Sequence, residues 1–202
     1  ELLLYHSILK ATEHPLYHHL KKYVSFEDFD FPKMLSYFET LKLDKKEMVM
    51  QAGNLCNYNY FVVKGCLHMY FTSEKGTERT VQFALEGWWL TDFLAFQNRS
   101  STDFNIQAVE KSQVLSISNE QQELLLEEFP LLERYFRTIY QIAYGASLIK
   151  VKYLYDLSKE EIYLHFTEHF PEFAQRVPQY LIASFLGLTP EYVSEIRAKN
   201  RS

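Results

Sequence analysis

Apolar residues recur at two periods along the chain, and each period predicts its own kind of element. Between His14 and about Lys42 they fall at helical spacing. Leu16, Leu20 and Tyr23 are followed by Met34, Leu35, Phe38 and Leu41 after the start signal at Pro32. This predicts a short helical lead-in. From about Met48 to Ser118 the period is two: Leu67, Met69 and Phe71 alternate with His68 and Tyr70, and Val81, Phe83 and Leu85 with Gln82 and Ala84, while Phe104, Ile106 and Ala108 repeat the pattern. Gly53, Gly65, Gly76 and Gly87 stand 12, 11 and 11 residues apart. That is the spacing of corners between short antiparallel strands, so a jelly roll or β-roll is expected.

The helical period returns at Asn119, read as a cap with Gln122 closing a capping box, and Pro130 interrupts it. Beyond Pro130 the residues Leu132, Phe136, Ile139, Ala143, Ala146, Lys150, Tyr153 and Leu157 follow one another by steps of three and four, a heptad-like stripe. A helix this long is expected to meet a partner. The small residues Ala143, Gly145 and Ala146 favour close approach of two backbones, so Leu132, Phe136, Ile139, Ala143, Ala146 and Tyr153 are the expected homodimer seam. A single helix lying across its own β-domain is the alternative. Ser158 and Glu161 form a further capping box, which starts a new helix ending near Pro171.

The last 25 residues carry the most informative local pattern. Pro178 sits in the first turn of a helix that Gly187 ends, and Thr189 caps a second helix with Pro190 at its first position, running to about Lys199. Counting Gln179 as the first position of a helix-turn-helix puts Ala183 where two helices cross and Gly187 in the turn. Ile182, Leu186, Leu188, Val193 and Ile196 then fall at the buried positions. Thr189, Glu191, Tyr192, Ser194, Glu195, Arg197, Lys199 and Arg201 are left to meet base edges and phosphates of double-stranded DNA.

Charge limits how such contacts arise. The 202 residues carry a formal net charge of −5, so no global basic field draws in nucleic acid and any attraction is local, at Arg197, Lys199 and Arg201. Cys56 and Cys66 form no Cys-x-x-Cys pair and no disulfide framework. Leu2, Leu3 and Leu4 are too short a run for a signal peptide, and nothing reads as a membrane span, so a cytoplasmic protein with no membrane partner is expected. The pairs His14/His18 and His165/His169 have i, i+4 spacing but no third ligand. With no nucleophile elbow, phosphate loop or dinucleotide fingerprint, and only His68 among the strands as a metal ligand for cupin-type chemistry, no enzyme, metal or cofactor is expected.

The order of parts resembles the Crp/Fnr family of bacterial transcription regulators. The resemblance rests on Tyr60 to Leu67, on Trp88-Trp89-Leu90-Thr91-Asp92, on Phe104 to Ala108 and on Gln179 through Arg197, and looks closest to the branch common in Bacteroidetes. It implies an α+β chain in three parts: an N-terminal cyclic-nucleotide-binding-like double-stranded β-helix over residues 1–128, a long dimerisation helix over 129–157, and an all-α helix-turn-helix domain over 158–202. It also implies binding to two DNA half-sites about 34 Å apart, with RNA polymerase and a small-molecule effector as further candidate partners.

The departures from that family shape the expectation. Members that bind cyclic AMP use Gly-Glu-Leu, followed some ten residues later by Arg-Ser or Arg-Thr, so that the glutamate takes ribose hydroxyls and the arginine pairs with phosphate. Here the matching positions are Thr91-Asp92-Phe93 and Thr102-Asp103, with Arg99 the guanidinium nearest in sequence. Thr91, Asp92, Arg99, Thr102 and Asp103 are therefore the candidate pocket, and a carboxylate beside the phosphate position argues against cyclic AMP. Family iron-sulfur sensing needs clustered N-terminal cysteines, which the first 55 residues lack. Glu191 matches a glutamate that the family's cyclic AMP-dependent activators place on their operator, but their two neighbouring arginines are Pro190 and Glu195 here, so that operator is not inherited. The expected function is a dimeric sequence-specific DNA-binding regulator with a degenerate effector pocket. The alternative is a protein-binding module that keeps the scaffold without binding DNA.

Overall fold

A computed structural model describes residues 13–25 and 30–199. Its contacts divide the chain into two units, one formed by residues up to Met69 with Phe83–Gln141, the other by Tyr70–Gln82 with the residues from Ile142 onward.

In the first unit, α1 (Pro15–Lys21) and α2 (Phe31–Leu35) each begin with a proline in the first turn and a side-chain cap, from His14 and Asp30 respectively. Eight strands follow: β1 (Glu39–Leu43), β2 (Met48–Met50), β3 (Tyr58–Lys64), β4 (Leu67–Thr72), β5 (Glu78–Ala84), β6 (Trp89–Leu90), β7 (Asn105–Ala108) and β8 (Ser112–Ser118). They form two four-stranded sheets, ordered β1-β8-β3-β6 and β2-β7-β4-β5. The expected roll is present, and it starts earlier than the apolar spacing indicated. Residues 39–43, read as the end of the helical lead-in, are strand β1, paired antiparallel to β8 with Glu39 opposite Ser116 and Leu43 opposite Ser112. The backbone edge of β8 supplies a ladder there that local spacing cannot reveal.

Two further local differences have simple causes. A short helix, α3 (Phe93–Asn98), interrupts the strands because the Asp92 carboxylate caps it. Helix α4 (Asn119–Glu128) is capped by Ser118, whose hydroxyl accepts from Gln121 N. The Asn119 side chain is spent elsewhere, donating to Phe96 O at 2.7 Å and accepting from Arg99 Nε at 2.8 Å, so no capping box forms with Gln122.

Helix α5 (Leu131–Asp156) begins after Pro130 and its first turns complete the first unit's core. That core gathers Leu16, Leu20, Phe31, Phe61, Trp89 and Leu132 around the fully buried Tyr135. Trp89 Nε1 donates to Tyr135 Oη at 2.8 Å, and the same hydroxyl shares a hydrogen bond with His19 Nδ1, 2.6 Å away. Burial, with Lys22 adding to it, pushes His19 down to about 4. Unfolded chains bind a proton at His19 below about 6.5 and the folded protein does not, so stability is full above pH 6.5 and falls as pH drops towards 4. Discounted for partial solvent screening, the loss is roughly 2 kcal/mol. Thermal unfolding followed from pH 7 to pH 4.5 should show this slope, and His19→Gln should flatten it; equal slopes in both proteins would remove His19 as its source.

In the second unit α6 (Lys159–His169) starts with the expected capping box, Ser158 and Glu161 bonding each other's backbone N–H groups. A short helix α7 (Pro171–Arg176) follows, then α8 (Gln179–Phe185) and α9 (Pro190–Lys199).

Candidate nucleic-acid interface and effector pocket

Helices α8 and α9 pack as the sequence spacing requires. Ile182, Leu186, Leu188, Val193 and Ile196 are all buried, as is Ala183 at the helix crossing. Gly187 turns the chain at φ +72°, a left-handed value that a Cβ disfavours, and the 183–188 turn closes through Leu188 N to Ala183 O at 2.8 Å. Thr189 Oγ1 accepts from Tyr192 N at 3.2 Å, capping α9. With the apolar edge turned inward, Glu191, Ser194, Glu195, Arg197 and Lys199 share the exposed side, and Tyr192 is half-buried. Arg201 lies outside the described residues.

Two of the exposed groups are already oriented. Arg197 Nη1 donates to Gln179 Oε1, whose amide nitrogen reaches Ser194 Oγ at 3.4 Å, and Ser194 Oγ donates to Pro190 O at 2.9 Å. Gln179 therefore braces the exposed face from the start of α8, a role that sequence spacing did not assign to it. Tyr180 beside it is half exposed. Among the described residues Glu191, Glu195 and Lys199 make no ion pair.

The residues matching the family's phosphate-binding positions are knotted together. Thr102 Oγ1 donates to Asp92 Oδ2 at 2.8 Å while Asp92 Oδ1 accepts from Ala95 N at 3.2 Å. Thr91 Oγ1 donates to Tyr58 O at 2.8 Å and lies 3.3 Å from Cys56 Sγ; burial pushes that thiol up. Thr91 and Thr102 are both buried. The N-terminus of α3, where an anion would sit, is thus occupied by an internal carboxylate. Arg99, in left-handed conformation at φ 51°, turns its guanidinium to Asn119 and to Glu123 Oε2 at 2.6 Å. Asp103 is exposed. None of these five residues lines the cleft of about 250 Å³ bordered by Met48, Met50, Leu55, Tyr58 and Tyr60.

The predicted seam of α5 divides. Leu132 and Phe136 are 1% and 4% exposed inside the first unit's own core, and Ile139 packs against it. In the second unit Tyr153 lies 4.5 Å from the His165 ring, Ala143 is half-buried and Ala146 exposed. On the other side Tyr144, Leu148, Val151 and Tyr155, at steps of four, three and four, are large apolar residues left open; Ile142, Ile149 and Leu154 are exposed elsewhere round the helix. A Cβ added at Gly145 would meet no atom within 4 Å.

Residues 40–129 match the cyclic nucleotide-binding domain family. Solved structures extend the likeness beyond that domain. FixK2 from Bradyrhizobium japonicum superposes with a TM-score of 0.67 at 17% identity, over 80% of this chain and 83% of that one. The fold is that of the Crp/Fnr-type regulators. The c-di-GMP-responsive global regulator CLP of Xanthomonas campestris gives a TM-score of 0.68 at 17% identity, covering 84% of this chain and 89% of its own. The catabolite activator protein of Thermus thermophilus gives 0.56 at 18% identity, covering 92% and 85%. No curated protein matches the chain in sequence. The Crp/Fnr-type fold accounts for the order of roll, long helix and helix pair, and no described helix is long and apolar enough to cross a membrane.

Proposed function

We propose that the chain is a transcription regulator of the Crp/Fnr type that binds duplex DNA as a homodimer and has an effector pocket unsuited to cyclic AMP. The observation carrying this reading is the face of α9, where the whole apolar edge is buried against α8 and Glu191, Ser194, Glu195, Arg197 and Lys199 stand in the open. In that reading the first turn of α9 enters the major groove. Glu191 and Glu195 accept from cytosine amino groups, Ser194 and Tyr192 contact base edges or phosphate, and Arg197, Lys199 and Arg201 neutralise backbone charge. Thr189 shapes the helix start.

The second copy is the occupant proposed for the outer face of α5. Tyr144, Leu148, Val151 and Tyr155 form one stripe over three turns, at the three- and four-residue steps that pair helices along a two-fold axis. The proposed seam runs there and not along Leu132, Phe136 and Ile139, which cover the first unit's core.

In the pocket, Thr91, Asp92 and Thr102 satisfy one another and Arg99 is spent on α4. A cyclic phosphate entering there would meet the Asp92 carboxylate without a free guanidinium to offset it. Calorimetry with cyclic AMP and cyclic GMP should show no binding in the micromolar range. Micromolar binding of either would overturn the pocket assignment and leave the DNA reading standing. The DNA reading is tested by selecting from a random duplex pool: enrichment of two inverted half-sites one helical turn apart supports it, and an unenriched pool refutes it.

A further inference from the structure

Strand β5 is the last strand in the order of its sheet, so among the described residues one side of its backbone has no neighbouring strand to pair with. Its start and the hairpin turn, Tyr70–Gln82, belong to the second unit, together with α8. There Ser184 of α8 does what a neighbouring strand would do. Its hydroxyl accepts from Thr80 N at 2.9 Å and donates to Glu78 O at 3.1 Å, satisfying a donor and an acceptor two residues apart on one strand. One residue on, Lys150 of α5 donates to Val81 O at 3.0 Å, and its ammonium lies 3.6 Å from the centroid of the Phe185 ring. Lys150 makes no ion pair among the described residues. Its charge is offset by a carbonyl and a ring face, and burial lowers its proton affinity. A half-buried ammonium without a carboxylate is a poor choice for stability alone.

We propose that Ser184 and Lys150 form a latch that fixes the hairpin 70–82 to the first helix of the DNA-reading pair, and that the latched state is the one that binds DNA tightly. The proposal rests on the DNA-binding reading above. Two recognition helices must meet half-sites at a fixed spacing, so freedom of α8 adds an ordering cost to binding. The latch lowers that cost by joining α8 and the long helix to one hairpin strand.

The test compares wild type, Ser184→Ala and Ser184→Thr as full-length chains by amide hydrogen exchange and by DNA anisotropy, using the duplex recovered from the pool selection. Ser184→Ala should speed exchange of the Thr80 amide at least tenfold and weaken DNA binding at least fivefold, with the melting temperature and dimer population unchanged. Ser184→Thr keeps the hydroxyl and should restore both. Unchanged Thr80 exchange in the alanine variant overturns the latch, and so does faster exchange with unaltered or tighter DNA binding. If wild type enriches no duplex, the DNA reading and the latch's stated effect fail together; Thr80 exchange then reports only whether the physical contact exists.

Discussion

Replacing Leu148 with glutamate is expected to leave each copy folded, separate it from its partner and weaken DNA binding at least about a hundredfold. Leu148 is 52% exposed in the single chain, so the change removes nothing from the core. In a two-fold dimer it occurs twice across one seam. Each copy forfeits the burial of a leucine, about 2 kcal/mol, and each must instead bury a carboxylate without a partner. The DNA consequence follows from linkage. With two half-sites held together, the second binding event is intramolecular, and losing it costs two to four orders of magnitude. Phe136→Glu is the informative contrast, because Phe136 sits in the first unit's core against Trp89, with ring centroids 5.1 Å apart, and should unfold that unit. Sedimentation equilibrium reads both results; a Leu148→Glu protein that still sediments as a dimer would show that the outer face of α5 is not the seam.

Gly65→Ala should be the most destabilising single-methyl change in the roll, by about 3 to 5 kcal/mol. Gly65 joins β3 to β4 at φ +104°, where any side chain is strained. An added Cβ would also lie 2.1 Å from Ser112 Oγ, 2.6 Å from its Cβ and 2.7 Å from its Cα. Backbone strain and overlap act together, and the sum is a large share of a domain's usual margin of about 5 to 15 kcal/mol. The neighbourhood has little room to yield, since Gly65 N donates to Glu86 Oε1 at 2.7 Å and Cys66 N to Ser112 Oγ at 3.2 Å. Trimming Ser112 to glycine should recover only part of the loss, because its Cα remains in contact. Denaturant unfolding of the three proteins measures the effect; a loss below about 1 kcal/mol for Gly65→Ala would show that the turn relaxes freely.

The helix-turn-helix was legible in the sequence because every cue there is local. A proline and a threonine start the helices, a glycine turns them, and five apolar residues at fixed offsets fill the wedge. What covers the long helix was not legible, for the opposite reason. Helix α5 is apolar on more than one face, and spacing identifies a face without naming what covers it. Leu132, Phe136 and Ile139 at the start of the stripe cover the first unit's core, while Tyr144, Leu148, Val151 and Tyr155 remain outside. Strand β1 was hidden because five residues hold too few repeats to separate a period of two from one of 3.6, and its partner β8 is some seventy residues away. The phosphate-binding stretch was recognisable by its residue types, but the bond from Thr102 to Asp92 and the turn of Arg99 towards Asn119 and Glu123 depend on side-chain directions that sequence order does not give.

In the proposed function the exposed face of α9 reads duplex DNA as half of a two-fold pair. Fluorescence anisotropy with fragments of the promoter region next to the protein's own gene, at about 50 and 200 mM salt, tests this most directly. Saturable binding is expected that prefers some fragments over others, falls steeply as salt rises, and weakens when Arg197 and Lys199 are replaced by alanine. Binding that is absent at low salt, or equal for every fragment and untouched by those two substitutions, would contradict it.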